Sequence, residues 1–265
     1  MPTAKINGIT IYYELHGPEE GPVLVLNNGI IMNAATSWLF QTPALAPHYR
    51  LLQYDCRGQG QSDHPAEKYS MEGHADDLAG LLDFLNIEQA HISGISYGGE
   101  VAQAFALKYP GMTRSLILAD TASEVKPQLR MIILSWLDAL ETGDPLAFFH
   151  VTVPWNFSAE FIQANPDLLE NAKKRYAELD FPAVIRLCRC FLDLDLTSRL
   201  SEIKLPTCVM VGEKDWIKGI EYARILRDRI AGAELHVIPG AGHASCWENF
   251  AVFNSIILGF LAKVG

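Results

Sequence analysis

The sequence predicts an α/β fold: a mostly parallel eight-stranded sheet flanked by helices, with an all-helical cap inserted after the sixth strand. Two observations predict the sheet. The candidate strands are short apolar runs, and they alternate with segments whose apolar residues recur at helical spacing, which is typical of a parallel sheet covered on both faces. A third observation predicts the cap, because the alternation stops at Thr121 and resumes only at Thr207. We therefore expect a core of residues 1–121 and 206–265 and a cap of residues 122–205.

The first half of the chain contains six of the predicted strands. Asn7-Gly8 separates the first two, and this dipeptide between apolar runs is a strong hairpin signal. Residues 23–26 are Val-Leu-Val-Leu, which is too short for a helix and suits a strand buried on both faces. The predicted strands are Lys5-Ile6, Ile9–Tyr13, Pro22–Leu26, Arg50–Tyr54, Ala90–Ile95 and Ser115–Leu118, with helices over Met71–Leu85 and Glu100–Tyr109.

The second half begins with the predicted cap, which contains no convincing strand. A helical insertion between two strands is expected to cover the carboxyl edge of the sheet, where ligands bind in open α/β folds. Most of its aromatic residues are expected to hold the helices together, but we predict that Trp136 and Trp155 line an apolar substrate pocket. The predicted cap helices are 127–140, 145–150, 158–179 and 182–192. After the cap we predict strands Thr207–Val211 and Glu234–Ile238, a helix over Ile220–Ile230, and a closing helix from Ser245 or Glu248 to Leu261.

Charge and composition exclude several classes of partner. The formal net charge of the 265 residues is −10, whereas binding to nucleic acid or to an anionic membrane requires a basic face. No apolar stretch reaches about 18 residues, so no transmembrane helix is predicted. The first residues lack the features of a signal peptide. We expect a cytoplasmic protein, monomeric or homodimeric, that acts on a small molecule.

Neither a metal ion nor an organic cofactor is predicted. The glycine-rich segment 55–63 lacks the Lys-Ser/Thr ending of a phosphate-binding loop. Cys188 and Cys190 form a C-x-C pair, but no further Cys or His lies near enough in sequence to complete a zinc site. We interpret the five scattered cysteines as free thiols in a reducing compartment; they are Cys56, Cys188, Cys190, Cys208 and Cys246.

The pattern Gly-x-Ser-x-Gly lies at the end of the fifth predicted strand, as Gly94, Ser96 and Gly98. An abrupt strand-to-helix turn strains the backbone of its middle residue, and flanking small residues make the turn possible. The turn would lift the Ser96 hydroxyl clear of the sheet, and the following helix would direct free N–H groups and its positive dipole end towards it. The pattern therefore predicts a nucleophile elbow, although an ordinary glycine-rich turn is the alternative.

Two later loops contain the partners that a reactive serine needs. A serine nucleophile requires a base, and the base requires an acid that fixes its tautomer and stabilises its cation. His243 follows the eighth predicted strand in a loop of small residues, and Asp215 follows the seventh. Because parallel strands point the same way, both loops should meet Ser96 at one edge of the sheet. Asp120, at the end of the sixth strand, is the alternative acid.

These motifs resemble those of the α/β-hydrolase superfamily, and the resemblance extends along nearly the whole chain. It is greatest to the small capped serine hydrolases, such as 3-oxoadipate enol-lactonases and related esterases. It implies Ser96 as nucleophile, Asp215 as acid and His243 as base, in the chain order expected for this architecture. Besides the Ser96 turn, the matching motifs are Asp55-x-Arg57-Gly58-x-Gly60-x-Ser62-Asp63, Gly212-Glu213-Lys214-Asp215, and Gly240-Ala241-Gly242-His243 with Glu248 after it.

The resemblance also implies an oxyanion hole formed by the backbone N–H groups of Ile30 and Tyr97. Relatives often have His-Gly where this chain has Asn28-Gly29, and Asn28 could form the supporting hydrogen bond instead. A serine at position 96 differs from the carboxylate nucleophile of haloalkane dehalogenases and epoxide hydrolases.

The predicted function is hydrolysis of a small ester or lactone through an acyl-enzyme. Hydrolysis of a carbon–carbon bond or cofactor-free perhydrolysis would use the same residues, and a ligand receptor without turnover is the alternative from another class. Five cap arginines are interpreted as surface charge, with binding of a substrate carboxylate as the alternative; they are Arg130, Arg175, Arg186, Arg189 and Arg199.

Overall fold

The structure, a computed structural model, describes residues 2–264 and contains a sheet of eight strands. Its order is β1-β2-β4-β3-β5-β6-β7-β8. β2 runs antiparallel to β1 and β4, and the other neighbouring pairs are parallel. The predicted fold class is confirmed. The strands are β1 (Thr3–Ile6), β2 (Ile9–His16), β3 (Val23–Asn27), β4 (Arg50–Tyr54), β5 (Ala90–Ile95), β6 (Thr113–Ala119), β7 (Thr207–Gly212) and β8 (Glu234–Ile238).

The central strands β3 and β5 are buried along their whole length. Their apolar sequences explain this position, because fully burying one Val, Leu or Ile side chain contributes about 1.5–3 kcal/mol. A strand with helices on both faces gains this contribution from every apolar residue rather than from alternate ones. The loops that follow β3 and β5 therefore start from buried strand ends at the carboxyl edge of the sheet.

Helices cover both faces of the sheet. One apolar cluster includes Leu78 and Phe105, and the other includes Phe253 and Ile257. Within the described part of the chain, no helix is both long and apolar enough to cross a membrane. The helices are α1 (Ala34–Ser37), α2 (Thr42–Leu45), α3 (Met71–Phe84), α4 (Tyr97–Lys108), α5 (Pro127–Glu141), α6 (Pro145–Asn156), α7 (Ala159–Ala164), α8 (Pro166–Ala177), α9 (Phe181–Leu192), α10 (Ile220–Arg229), α11 (Ser245–Glu248) and α12 (Phe250–Val264).

Helices α5 to α9 lie between β6 and β7 in the chain, and we call residues 122–205 the helical insertion. The sequence predicted one helix over 158–179, but the structure has two, α7 and α8. They separate at Pro166, which is the first residue of α8. Proline lacks an N–H group and disfavours helical backbone in the residue before it. Asn165 accordingly has φ −128° and ψ 54°.

Candidate active site

Ser96 lies at the turn between β5 and α4. Its backbone has φ 54° and ψ −119°, an uncommon and strained conformation for a residue with a side chain. Its N–H donates to Ala119 O at 2.8 Å. A Cβ on Gly94 would lie 2.1 Å from Gly98 O, and one on Gly98 would lie 2.1 Å from Asn27 O. Only glycine fits these two positions, so the turn has the geometry expected of a nucleophile elbow.

A chain of hydrogen bonds joins Ser96, His243 and Asp215. His243 Nε2 lies 2.9 Å from Ser96 Oγ, and His243 Nδ1 lies 2.8 Å from Asp215 Oδ2. The other carboxylate oxygen of Asp215 accepts the backbone N–H groups of Ile217 and Lys218 at 2.8 and 2.9 Å. His243 and Asp215 are buried. An imidazole that donates from Nδ1 to Asp215 leaves Nε2 free to accept the Ser96 proton.

The two candidate acids differ in their partners. Burial alone would raise the pKa of Asp215, but His243 and the N–H groups of Lys218 and Ile217 outweigh burial and hold the pKa below its ordinary value. Asp120 instead accepts Gly212 N–H at 2.7 Å and is contacted by the Ser245 hydroxyl.

Burial raises the pKa of Asp120 well above its ordinary value, and the neighbouring Asp215 raises it further. Its hydrogen bonds in the described residues do not include His243. The structure therefore brings Asp215, and not Asp120, to the histidine as an ionised carboxylate.

The N–H groups of Ile30 and Tyr97 have no acceptor within residues 2–264. Tyr97 is the first residue of α4, where an N–H group has no partner inside the helix. Ile30 lies in the loop after β3. Gln59 Nε2 donates to Gly29 O at 2.9 Å and to Ile30 O at 3.3 Å, which fastens that loop. No sequence pattern predicts this role of Gln59.

Asn28 also supports the loop after β3. Its Nδ2 donates to Tyr54 O at 2.8 Å, and its Oδ1 accepts from Trp38 Nε1 at 2.8 Å. Asn28 is completely buried. The asparagine therefore forms the supporting hydrogen bonds that were expected of it from the sequence.

Comparison with known proteins identifies the family. A family model described as "alpha/beta hydrolase fold" matches residues 22–250. The chain belongs to the α/β-hydrolase family. The expected resemblance is thereby confirmed, and the protein is a hydrolase.

Three proteins of known name are similar to this chain along nearly its whole length. The "Putative carbamate hydrolase RutD" of Stutzerimonas stutzeri is 33% identical over 260 residues, covering 96% of this chain and 97% of that protein. The "3-oxoadipate enol-lactonase 1" of Acinetobacter baylyi is 28% identical, with coverages of 97% and 95%. The crystal structure of MGS-M2, an α/β-hydrolase enzyme from a Medee basin deep-sea metagenome library, is 33% identical with a TM-score of 0.92, and the coverages are 98% and 97%.

A cavity of about 700 Å³ opens onto Ser96 and His243 in this hydrolase. Core and helical insertion both contribute to its walls. Trp136 lines the cavity, whereas Trp155 is not among its lining residues and packs against the apolar core instead. The indole N–H of Trp136 is buried without an acceptor in the described chain.

The helical insertion is hydrogen bonded to the loop that carries His243. Ala244 N–H donates to Asn156 O, at the end of α6, at 2.9 Å. Ser158 N–H donates to both carboxylate oxygens of Glu248 at 3.2 Å. The insertion and the histidine therefore hold each other in place.

Of the five arginines in the insertion, Arg175 lines the cavity. It forms no ion pair with any residue in the described range, and burial lowers the pKa of its guanidinium. The other four donate to protein groups: Arg130 to Leu192 O, Arg186 to Tyr69 Oη, Arg189 to Glu141 and Arg199 to Glu202. No group of three or more His, Cys, Asp or Glu within residues 2–264 could hold a metal ion.

Two further residues beside Ser96, Lys218 and Glu100, lie outside the motifs of the sequence. Lys218 Nζ lies 3.2 Å from Ser96 Oγ and forms an ion pair with Glu100 Oε1. Burial raises the pKa of Glu100 to about 7, against the opposing effect of Lys218. The available signal was a glutamate in the first turn of α4, among small and apolar residues, only four positions after Ser96.

Proposed function

We propose that this hydrolase cleaves a small carboxylic ester or lactone through an acyl-enzyme formed on Ser96. The observation that carries the proposal is the Ser96–His243–Asp215 hydrogen-bond chain, whose Ser96 and His243 line a cavity of about 700 Å³. A serine so placed has a base, an oriented acid and an adjacent cavity for a substrate. Residues 122–205 would act as a cap over a core of residues 1–121 and 206–265.

In the first step, the Ser96 proton moves to His243 Nε2 as Oγ forms a bond to the substrate carbonyl carbon. The carbonyl electron pair moves to its oxygen, and the N–H groups of Ile30 and Tyr97 stabilise that oxyanion. Such donors act mainly on the transition state, where the charge develops. Asp215 stabilises the imidazolium that has formed.

Collapse of the tetrahedral intermediate breaks the bond to the leaving oxygen, which takes the proton from His243. Water then attacks the acyl carbon while His243 accepts its proton. The bond to Ser96 Oγ breaks, and Oγ recovers a proton from His243. In a lactone, the first leaving group stays attached to the acyl chain, so a single hydroxy acid or its keto form is the product.

The cavity lining supports a further restriction on the substrate. Arg175 lies at the cavity wall and forms no ion pair with a described carboxylate, although Glu178 and Asp180 line the same cavity and the Glu178 charge acts on Arg175. Its guanidinium is therefore available to bind a carboxylate of the substrate. The names of the two relatives support testing lactones and add carbamates as a further class of substrate. Free buried thiols fit a reducing compartment, and we place the enzyme in the cytoplasm.

The decisive experiment is intact-mass measurement after exposure to a fluorophosphonate, on wild type and on Ser96→Ala. One phosphonyl adduct on wild type and none on the variant would establish an activated serine. A panel of esters, lactones and carbamates, each with and without a carboxylate, would follow. An unmodified, folded wild type would overturn the proposal and favour a receptor without turnover. Turnover of a diketone alone would favour carbon–carbon bond hydrolysis. Turnover of a carboxylic acid with hydrogen peroxide alone would favour perhydrolysis.

A further inference from the structure

Lys218 and Glu100 form an almost completely buried ion pair beside the nucleophile. Lys218 is 3% exposed and Glu100 is 0% exposed. Removing two charges from water costs several kcal/mol per ion, so a buried pair is weak evidence for a stabilising role. Neither residue lines the cavity, so the pair is not placed to bind substrate. Its position against Ser96 calls for another explanation.

The geometry determines the hydrogen-bond pattern of Ser96 Oγ. His243 Nε2 lies 2.9 Å from this oxygen, and Lys218 Nζ lies 3.2 Å from it. An ammonium group only donates, and a hydroxyl has one proton and two lone pairs. Ser96 therefore accepts from Lys218 and directs its own proton to His243. One lone pair remains free for attack.

We propose that Lys218 is a further catalytic residue, which stabilises the negative charge that develops on Ser96 Oγ, and that Glu100 is a positioning residue that holds the ammonium there. The inference rests on the proposed acyl transfer. When Oγ attacks, its proton passes to His243 and its electron pair bonds to the carbonyl carbon. When the acyl group leaves, that pair returns to Oγ, which is reprotonated by His243. Lys218 keeps its protons throughout and acts in both steps.

The surroundings of the pair fit this role. The Phe191 ring centroid lies 4.4 Å from Lys218 Nζ and gives the ammonium a second favourable contact. Asp215 Oδ1 accepts the backbone N–H of Lys218 at 2.9 Å, so one turn places both the acid and the cation. The Glu100 carboxylate neutralises the ammonium, which limits its repulsion of the imidazolium that forms at His243.

The first test uses Lys218→Met, which keeps the length of the side chain and removes its charge. We expect the second-order rate constant for fluorophosphonate labelling to fall about 10- to 100-fold, the range for loss of a hydrogen bond to a charged group. Lys214→Met is the matched control, because Lys214 lies in the same loop but pairs with Glu160 at the surface. The control should label at the wild-type rate.

Thermal denaturation checks that each variant folds. If Lys218→Met does not fold, Lys218→Met/Glu100→Gln removes both buried charges together and is expected to show the same loss of labelling rate. A folded single or double variant that labels at the wild-type rate, while Ser96→Ala does not label, would overturn this inference and leave the proposed function intact. An unlabelled wild type would overturn both.

The pH dependence of labelling separates an electrostatic role from a merely structural one. The titratable and charged groups around the Ser96–His243–Asp215 chain are Glu248, Asp120, Lys218 and Glu100, of which Asp120 has a pKa raised well above its ordinary value. Loss of the cation in Lys218→Met should move the acidic limb of the rate profile to higher pH. Because the pKa of Glu100 is raised to about 7, its carboxylate is only partly ionised in this range, and Glu100→Gln should move the limb to lower pH by a smaller amount. Shifts in the same direction, or none, would contradict the proposal.

Discussion

Glu248 and Ser158 are joined by a hydrogen bond across Gly242. Both oxygens of the Glu248 carboxylate lie 3.2 Å from the Ser158 backbone nitrogen. A Cβ on Gly242 would lie 2.7 Å from Glu248 Oε1 and 2.8 Å from that nitrogen. Only glycine leaves room for this contact, and the next residue is His243. The helical insertion and the loop that contains His243 are therefore linked through one carboxylate.

We expect Glu248→Ala to lower the free energy of unfolding and kcat together. A hydrogen bond to a charged group contributes about 1.5–3 kcal/mol, and the His243 loop should lose its fixed position. Urea unfolding and ester hydrolysis measure the two effects. Glu202→Ala is the control, since Glu202 pairs with Arg199 at the surface, where a pair is worth about 0–1 kcal/mol. Equal stability of the two variants would contradict the prediction.

Trp136→Ala is expected to change the substrate preference, and Trp155→Ala is its matched control. Trp136 lines the cavity and Trp155 does not. A change of one methylene in an apolar pocket alters selectivity by about 10- to 200-fold, so loss of an indole should change the kcat/KM ratio of short and bulky acyl esters at least 10-fold. If both variants keep the wild-type ratio, Trp136 does not contact the acyl group.

The outcomes for these residues show what a sequence pattern can predict. The proximity of Ser96, Asp215 and His243 could be predicted because each follows an apolar strand, and parallel strands bring their loops to one edge. Lys218 could not, because a loop lysine is normally exposed and its burial depends on Glu100, 118 positions away in the chain. Trp136 and Trp155 looked equivalent, since helical spacing does not show which insertion residues face the cavity.

Asp215→Asn should lower activity far more than Asp120→Asn. Asp215 contacts His243 directly, and loss of such a charge costs on the order of 10⁴-fold in kcat. Asp120 contacts Gly212 and Ser245 instead, so Asp120→Asn should retain activity within about 10-fold. Steady-state hydrolysis of one ester by both variants measures this difference. A larger loss in Asp120→Asn would make Asp120 the functional acid.

The same Asp120→Asn variant should change the pH dependence of stability. Burial raises the pKa of Asp120 in the folded state above that of the unfolded chain, about 3.9. The folded protein thus holds a proton that the unfolded chain releases, and this contribution to stability is lost as pH rises through the folded-state pKa. Asp120→Asn removes this titration. Above about pH 4, the free energy of unfolding of the variant should therefore fall less steeply with rising pH than that of the wild type. An unchanged slope in urea unfolding would contradict this.

Gln59→Leu tests whether Gln59 supports the proposed oxyanion hole through the loop after β3. Gln59 Nε2 holds the carbonyl groups of Gly29 and Ile30, and leucine of similar size removes both hydrogen bonds. Because the oxyanion exists only around the transition state, kcat should fall, up to about 100-fold, while KM changes little. Gln89→Leu is the control: Gln89 also donates to a backbone carbonyl, that of Gly111, but it precedes β5 at the opposite edge of the sheet. A rise in KM with kcat unchanged would show that Gln59 supports substrate binding and not the oxyanion.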